Sequence, residues 1–156
     1  EKYPDVSLAI IGEGRERAGL ETLIARLGLE RKVILLGAHN DALRYVRAFD
    51  IFAMPSFSEG LPLALLEALA GERPVVGSNI PSMEPILSGC GGRIFVSGNE
   101  VDLSAKLSAL LDLSLEELRE NGAAGYRYLC ENHAIGDFRE NYRKLINSML
   151  NKRKSQ

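Results

Sequence analysis

The sequence predicts an α/β fold built on a parallel sheet of about five strands with helices packed against it. Two observations carry this. Short Val/Ile/Leu runs recur from Val6 to Val96, each closed by glycine or proline. Segments with apolar residues near a 3.6-residue period separate these runs, and strands that alternate with helices pair in parallel.

Val6–Ile11 reads as a buried strand that ends in the tight turn Gly12-Glu13-Gly14. Arg15–Leu27 reads as a helix, with Ala18, Leu20, Leu23, Ile24 and Leu27 on its period and Gly28 as its C-terminal cap. Val33–Leu36 is the second strand, closed by Gly37. Asp41 caps a short helix that runs through Phe49. Ile51–Met54 is the third strand, ended by Pro55-Ser56. Pro62 suits the first position of the next helix, which runs through Ala70 and stops at Gly71. Pro74–Val76 begins a fourth strand, Pro81–Leu87 is a short helix, and Arg93–Val96 is a fifth strand. Beyond Asn99 the pattern is helical over 100–111, 114–131 and 136–150, and Ser114 with Glu117 forms a capping box.

Composition excludes several classes. The 156 residues suffice for one domain with a core. A hydrophobic share of 46% and a charged share of 26% are ordinary for a globular protein. A net charge of −2 gives no electrostatic footprint for nucleic acid. Cys90 and Cys130 read as plain thiols of a reduced compartment, and no metal-ligand spacing is present. No apolar run reaches the ~20 residues of a membrane span. The start of the chain shows no basic leader or cleavage site, so a cytoplasmic location is expected. The tail NKRKSQ is basic, and peripheral contact with an anionic membrane face stands beside a solvated end as its reading.

One stretch concentrates the chemistry. Met54–Glu67 reads MPSFSEGLPLALLE, with Glu59 and Glu67 on either side of a turn, Gly60-Leu61-Pro62, that opens an apolar helix. A helix N-terminus carries free N–H groups and partial positive charge, a site for phosphate. Glu67 falls about one and a half turns into the helix, between Leu65-Leu66 and Ala68-Leu69. Carboxylates in such apolar surroundings are rarely left without a partner. In parallel sheets ligands bind beyond the strand C-termini, and the Gly12 turn, the Gly37-Ala38-His39 loop and the Pro55–Pro62 loop all lie at that edge.

The pattern Pro55-Ser56-x-x-Glu59-Gly60, then Glu67-Ala68-Leu69-Ala70-Gly71-x-x-Pro74-Val75-Val76, resembles the signature of group 1 (GT4) glycosyltransferases of GT-B fold. Leu8–Gly14, Val33–Gly37 and Phe49–Ser56 follow the order and spacing of the same family. The resemblance covers residues 3–98 closely and the C-terminal helices loosely.

It implies that residues 1–156 are one Rossmann-like nucleotide-sugar-binding domain, half of a GT-B enzyme. Glu67 resembles the acid that accepts hydrogen bonds from the donor ribose, and Glu59 the catalytic acid that faces the transferred sugar. Gly60, Leu61, Pro62, Leu63 and Ala64 match the turn whose amides hold sugar and diphosphate. Where the family often has glycine, Pro62 removes a donor and shifts phosphate contacts to Leu63 and Ala64. His39 lies in a loop that contacts the base through its main chain, with a solvent-exposed side chain as the equal reading. Arg44 is either a donor-side cation or a solvated charge. Gly12 and Gly14 line the donor side, and the turn alone also requires them. Glu84 matches a frequent family acid, and also reads as a helix first-turn residue.

The family's donor half begins with a further strand, helix and basic pair, and an acceptor domain precedes it. The expectation is therefore a piece of a two-domain enzyme, with direct pairing of Val6–Ile11 and Ile51–Met54 as the other outcome. The function implied is retaining transfer from a UDP- or GDP-sugar to a sugar or lipid-linked acceptor, in polysaccharide or glycolipid synthesis, without metal or other cofactor. A nucleotide-sugar epimerase and a non-catalytic α/β module are the alternatives.

Overall fold

The computed structural model describes residues 2–39 and 41–154. The elements in order are β1 (Leu8–Ile11), α1 (Arg17–Leu27), β2 (Val33–Gly37), α2 (Ala42–Val46), β3 (Phe52–Met54) and α3 (Leu63–Ala70). They continue as β4 (Val75–Ser78), α4 (Glu84–Cys90), β5 (Arg93–Phe95), α5 (Glu100–Leu111), α6 (Leu115–Asn132) and α7 (Ile135–Lys154). Every strand pair is parallel, as the apolar runs predict. The strands make two sheets, β1-β2 and β3-β4-β5, so the direct pairing of Val6–Ile11 with Ile51–Met54 is not formed. Two compact units divide the chain, the first through Ala42 and the second from Leu43.

In the first unit β1 and β2 pair from Leu8↔Val33 to Ile11↔Gly37, with an irregularity between Ile10 and Ile11. Gly28 closes α1 in the left-handed conformation, at φ 65°. Helix α1 starts two residues later than expected, because Arg15 and Glu16 belong to the turn. None of its residues is buried, and Leu8 and Ile34 stand exposed on the strands.

The second unit holds the core. Val75 and Val76 are consecutive in β4 and point to opposite faces, as strand periodicity requires. Val75 joins a cluster with Leu65, Leu69, Met83, Leu87 and Cys90, against which Tyr128 and Leu129 of α6 pack. Val76 joins Phe95 and Leu110, with Leu103 and Leu107 beside them. Helices α3, α4 and α6 therefore cover one face of β3-β4-β5, and α5 covers the other, a three-layer arrangement.

Two helices differ from expectation. Helix α2 ends at Val46, since Ala48 and Phe49 donate to Tyr45 and Val46 in tight three-residue turns. Helix α4 covers Glu84–Cys90 rather than Pro81–Leu87. It runs on through Gly89. A Cβ there would lie 2.2 Å from a Tyr128 ring carbon, so the glycine makes room for α6. Gly91, at φ 74°, is the actual cap. The predicted capping box of α6 is formed. Ser114 Oγ accepts from the Glu117 amide at 3.2 Å, and Glu117 Oε2 accepts from the Ser114 amide at 2.8 Å. The Ser114 amide, and then the Ser114 hydroxyl at 2.7 Å, donate to the Glu117 carboxylate and hold it below its ordinary pKa. Cys90 is a buried free thiol whose pKa burial pushes up, and Cys130 is an exposed free thiol. No helix among the described residues is long and apolar enough to cross a membrane. Of the basic tail, Ser155 and Gln156 lie outside the described residues.

Helix α6 also fixes the end of α3. A Cβ on Gly122 would lie 2.0 Å from the Glu72 carbonyl oxygen and 2.7 Å from its carbonyl carbon. Backbone cannot yield as a side-chain tip does, and Glu72 is already at φ 57°. Gly122→Ala is expected to cost about 3 kcal/mol, measured by urea unfolding of the full-length protein. An unchanged midpoint contradicts this close approach.

Candidate functional site

The residues singled out by sequence fall in both units. Gly12, Gly14 and His39 belong to the first, and Arg44, Glu59, Gly60 to Ala64 and Glu67 to the second.

In the first unit the turn after β1 and the loop after β2 are tied together. The Gly12 amide donates to the Gly37 carbonyl at 2.8 Å. Gly12 has φ 138° and nothing within 4 Å of a would-be Cβ, so backbone conformation rather than space requires glycine. Gly14 accepts from the Arg17 amide at 3.1 Å and is exposed. His39 is exposed, and its Nε2 lies 3.1 Å from the Leu36 carbonyl oxygen, which folds the ring back on the end of β2. Sequence reasoning passed over Arg17. Its guanidinium bonds Glu13 at 2.6 Å and Glu21 at 2.9 Å, joining the turn to α1. The Glu13-Arg17-Glu21 spacing of four residues was the signal.

In the second unit the acidic stretch takes a defined form. Strand β3 delivers Pro55 and Ser56 past its C-terminal end. Ser56 Oγ donates to Glu59 Oε1 at 2.7 Å, which folds the half-buried Glu59 back on its own loop. Gly60 and Leu61 are exposed, and Pro62 is buried as the anchor of the turn. Pro62 has φ −78° and ψ 71°, an inverse γ-turn, closed by the Leu63 amide on the Leu61 carbonyl at 2.8 Å. Of the two amides expected to receive phosphate, Leu63's therefore already has an acceptor. Ala64's has no backbone acceptor among the described residues.

Helix α3 divides cleanly. Leu65, Ala68 and Leu69 are fully buried, whereas Leu63, Ala64 and Glu67 share the exposed face. Glu67 thus stands in solvent on an otherwise apolar helix. Among the described residues its carboxylate has no ion-pair or hydrogen-bond partner. Leu61 and Leu63 are about 60% exposed, at 62% and 60%, and Phe57 reaches 79%.

Arg44 is exposed on α2. Glu84 is exposed as the first residue of α4, the position that favours the helix dipole. Among the described residues no group of three His, Cys, Asp or Glu side chains is placed to hold a metal ion. Ser78, absent from the sequence reading, closes β4 with its side chain fully buried. A lone hydroxyl at the end of a Val-Val-Gly strand was the available signal.

Comparison with known proteins identifies the family and the fold. Residues 1–113 match the model of the family described as "Glycosyl transferases group 1". The chain is 31% identical over 100 residues to the UDP-Gal:alpha-D-GlcNAc-diphosphoundecaprenol alpha-1,3-galactosyltransferase of Escherichia coli, covering 64% of this chain and 26% of that one. It superposes on Anabaena Alr3699/HepE in complex with UDP with a TM-score of 0.85 at 20% identity, over 93% of this chain and 42% of that one. It superposes on the C-terminal domain of the glycosyl transferase group 1 family protein LpcC of Francisella tularensis with a TM-score of 0.74 at 26% identity. That match covers 86% of this chain and 73% of that one. The chain spans 22% and 20% of the first two curated relatives it matches. The family match over most of the chain and the GT-B architecture of its structural neighbours give one conclusion: this chain belongs to the group 1 glycosyltransferases.

Proposed function

We propose that the chain is the donor-binding half of a retaining, metal-independent glycosyltransferase that takes a UDP-sugar. The observation that carries this reading is the exposed face of α3, where Glu67 has no ion-pair or hydrogen-bond partner among the described residues and shares the face with exposed Leu63, while Glu59 in the preceding loop is hydrogen-bonded to Ser56. A carboxylate with open lone pairs accepts two hydroxyls of a ribose. The Ala64 amide, in the first turn of α3, meets the diphosphate with the positive end of the helix dipole behind it. Glu59 orients the transferred sugar. As the bond to the diphosphate lengthens, the amide and the dipole stabilise the charge that collects on the leaving oxygen. Amide donors at this position do that work without a divalent ion. UDP over GDP follows the solved neighbours bound to UDP and UDP-glucose, and a lipid-linked acceptor follows the diphosphoundecaprenol named for the Escherichia coli relative.

One assay tests the parts together. The full-length protein is incubated in EDTA with labelled UDP-sugars and membranes of its source, and the product's anomeric configuration is read by NMR. Label entering the lipid fraction with the donor's configuration supports the reading. A requirement for divalent cation contradicts metal independence, and an inverted anomer contradicts retention. Release of an epimerised free sugar favours the epimerase instead.

A further inference from the structure

The end of β4 lies directly behind the loop that carries Glu59. Ser78 is fully buried, and its hydroxyl turns toward the neighbouring strand β3. It reaches across to the segment leaving β3, with Oγ 2.6 Å from the Ser56 carbonyl oxygen and 3.3 Å from that of Met54. A serine hydroxyl has one proton, so the short contact takes the donation and the longer one is secondary. Ser56 then passes the constraint on. Its carbonyl is fixed by Ser78, and its own Oγ donates to Glu59 Oε1 at 2.7 Å. Two hydrogen bonds in series thus connect a rigid strand of the core to one oxygen of Glu59.

The strand end cannot drift. Gly77 leaves only enough space for Met83 and Leu87, since a Cβ there would lie 2.5 Å and 2.9 Å from their side-chain carbons. The Asn79 amide bonds the Phe95 carbonyl at 2.9 Å, and Asn79 Oδ1 accepts from the Ser97 amide at 2.8 Å. Ser78 is therefore held from both sides by β5 and α4. Glu67 stands outside this relay, on α3, and draws its position from the buried face of that helix.

We infer that Ser78 is a positioning residue for sugar transfer, acting through Ser56 to fix the Glu59 carboxylate, and that it does not contribute to nucleotide binding. The inference rests on the donor-site reading above. It separates two functions on one stretch of chain: orientation of the sugar is fixed from β4, and affinity for the nucleotide from α3.

The test uses the full-length protein with Ser78→Ala, Ser78→Thr, Ser56→Ala, Glu59→Gln and the double variant Ser78→Ala/Glu59→Gln. Ser78→Ala is expected to lower kcat about tenfold, the size of one ordinary hydrogen bond, with the Kd for UDP unchanged. Ser78→Thr, which keeps the hydroxyl, restores kcat. Ser56→Ala, which removes only the last link, reproduces the loss. The double variant is no slower than Glu59→Gln alone, because both changes act on one carboxylate. A folded Ser78→Ala protein with unchanged kcat overturns the inference. So does a double variant whose losses multiply, or a fall in UDP affinity that parallels the fall in kcat. Amide hydrogen exchange reads the relay without turnover: residues 56–60 exchange faster in Ser78→Ala while α3 does not. That result in a wild-type protein that transfers no sugar keeps the relay and removes the transferase reading. Unchanged exchange removes the relay.

Discussion

Glu67→Ala in the full-length protein is expected to weaken UDP binding by about a hundredfold, or about 2.8 kcal/mol, and to leave the fold intact. The magnitude follows from two hydroxyl donors meeting one ionised acceptor, each bond stronger than a neutral one. Stability should not follow affinity. Glu67 is exposed, and its helix is held by Leu65, Ala68 and Leu69 on the opposite face. A surface change of this kind alters unfolding by at most about 0.5 kcal/mol. Glu67→Gln keeps the shape and one acceptor oxygen, so it should lie between alanine and wild type. Calorimetry of UDP binding together with urea unfolding of the same samples checks the pair. Equal affinity for wild type and Glu67→Ala removes the ribose assignment.

Glu59→Gln is expected to show the opposite profile. Turnover should fall about a hundredfold, the usual cost of misplacing a reacting group by about an ångström, while UDP affinity stays at the wild-type value. The reason is in the loop. Glu59 is half-buried and folded onto Ser56, apart from the exposed α3 face that carries Glu67. Steady-state kinetics with a UDP-sugar, alongside UDP titration, separates a loss in kcat from a loss in binding. A fall in UDP affinity with unchanged kcat would reverse the two roles.

Much of this was legible in the sequence because local physics fixed it. Parallel strands declare themselves as short apolar runs, and each of the five was found within a few residues. The Ser114–Glu117 box starts α6 where the spacing placed it, since both halves of the motif are local. Glycine in the left-handed conformation ends α1 at Gly28 for the same reason.

Contacts between distant segments explain what the sequence left out. Helix α4 runs past the expected end at Leu87 to Cys90, and Tyr128 of α6 occupies the space where a Gly89 Cβ would lie, which nothing near Gly89 in sequence announces. Gly122 is mid-helix and costly by propensity, and only the approach of Glu72 explains it. The apolar runs also overstated burial in the first unit, where Leu8 and Ile34 are exposed. A run of apolar residues reports what a strand is able to bury, not what is packed against it.

The candidate site was legible as composition and less so as geometry. The two acids and the turn between them were visible as residues in a row. Pro62 was expected to move phosphate contacts to two amides. The inverse γ-turn that proline forms gives Leu63's amide an acceptor and leaves Ala64's. Ser56 was visible as part of a motif, but its bond to Glu59 was not, and Ser78 entered only once β3 and β4 were paired.

The most direct test of the donor-site reading is calorimetric titration of the folded full-length protein with UDP and, separately, GDP. The account predicts saturable binding of UDP at one site, tighter than GDP, and weakened about a hundredfold by Glu67→Ala. Absence of binding heat with either nucleotide, from a sample whose cooperative unfolding shows it to be native, would contradict it.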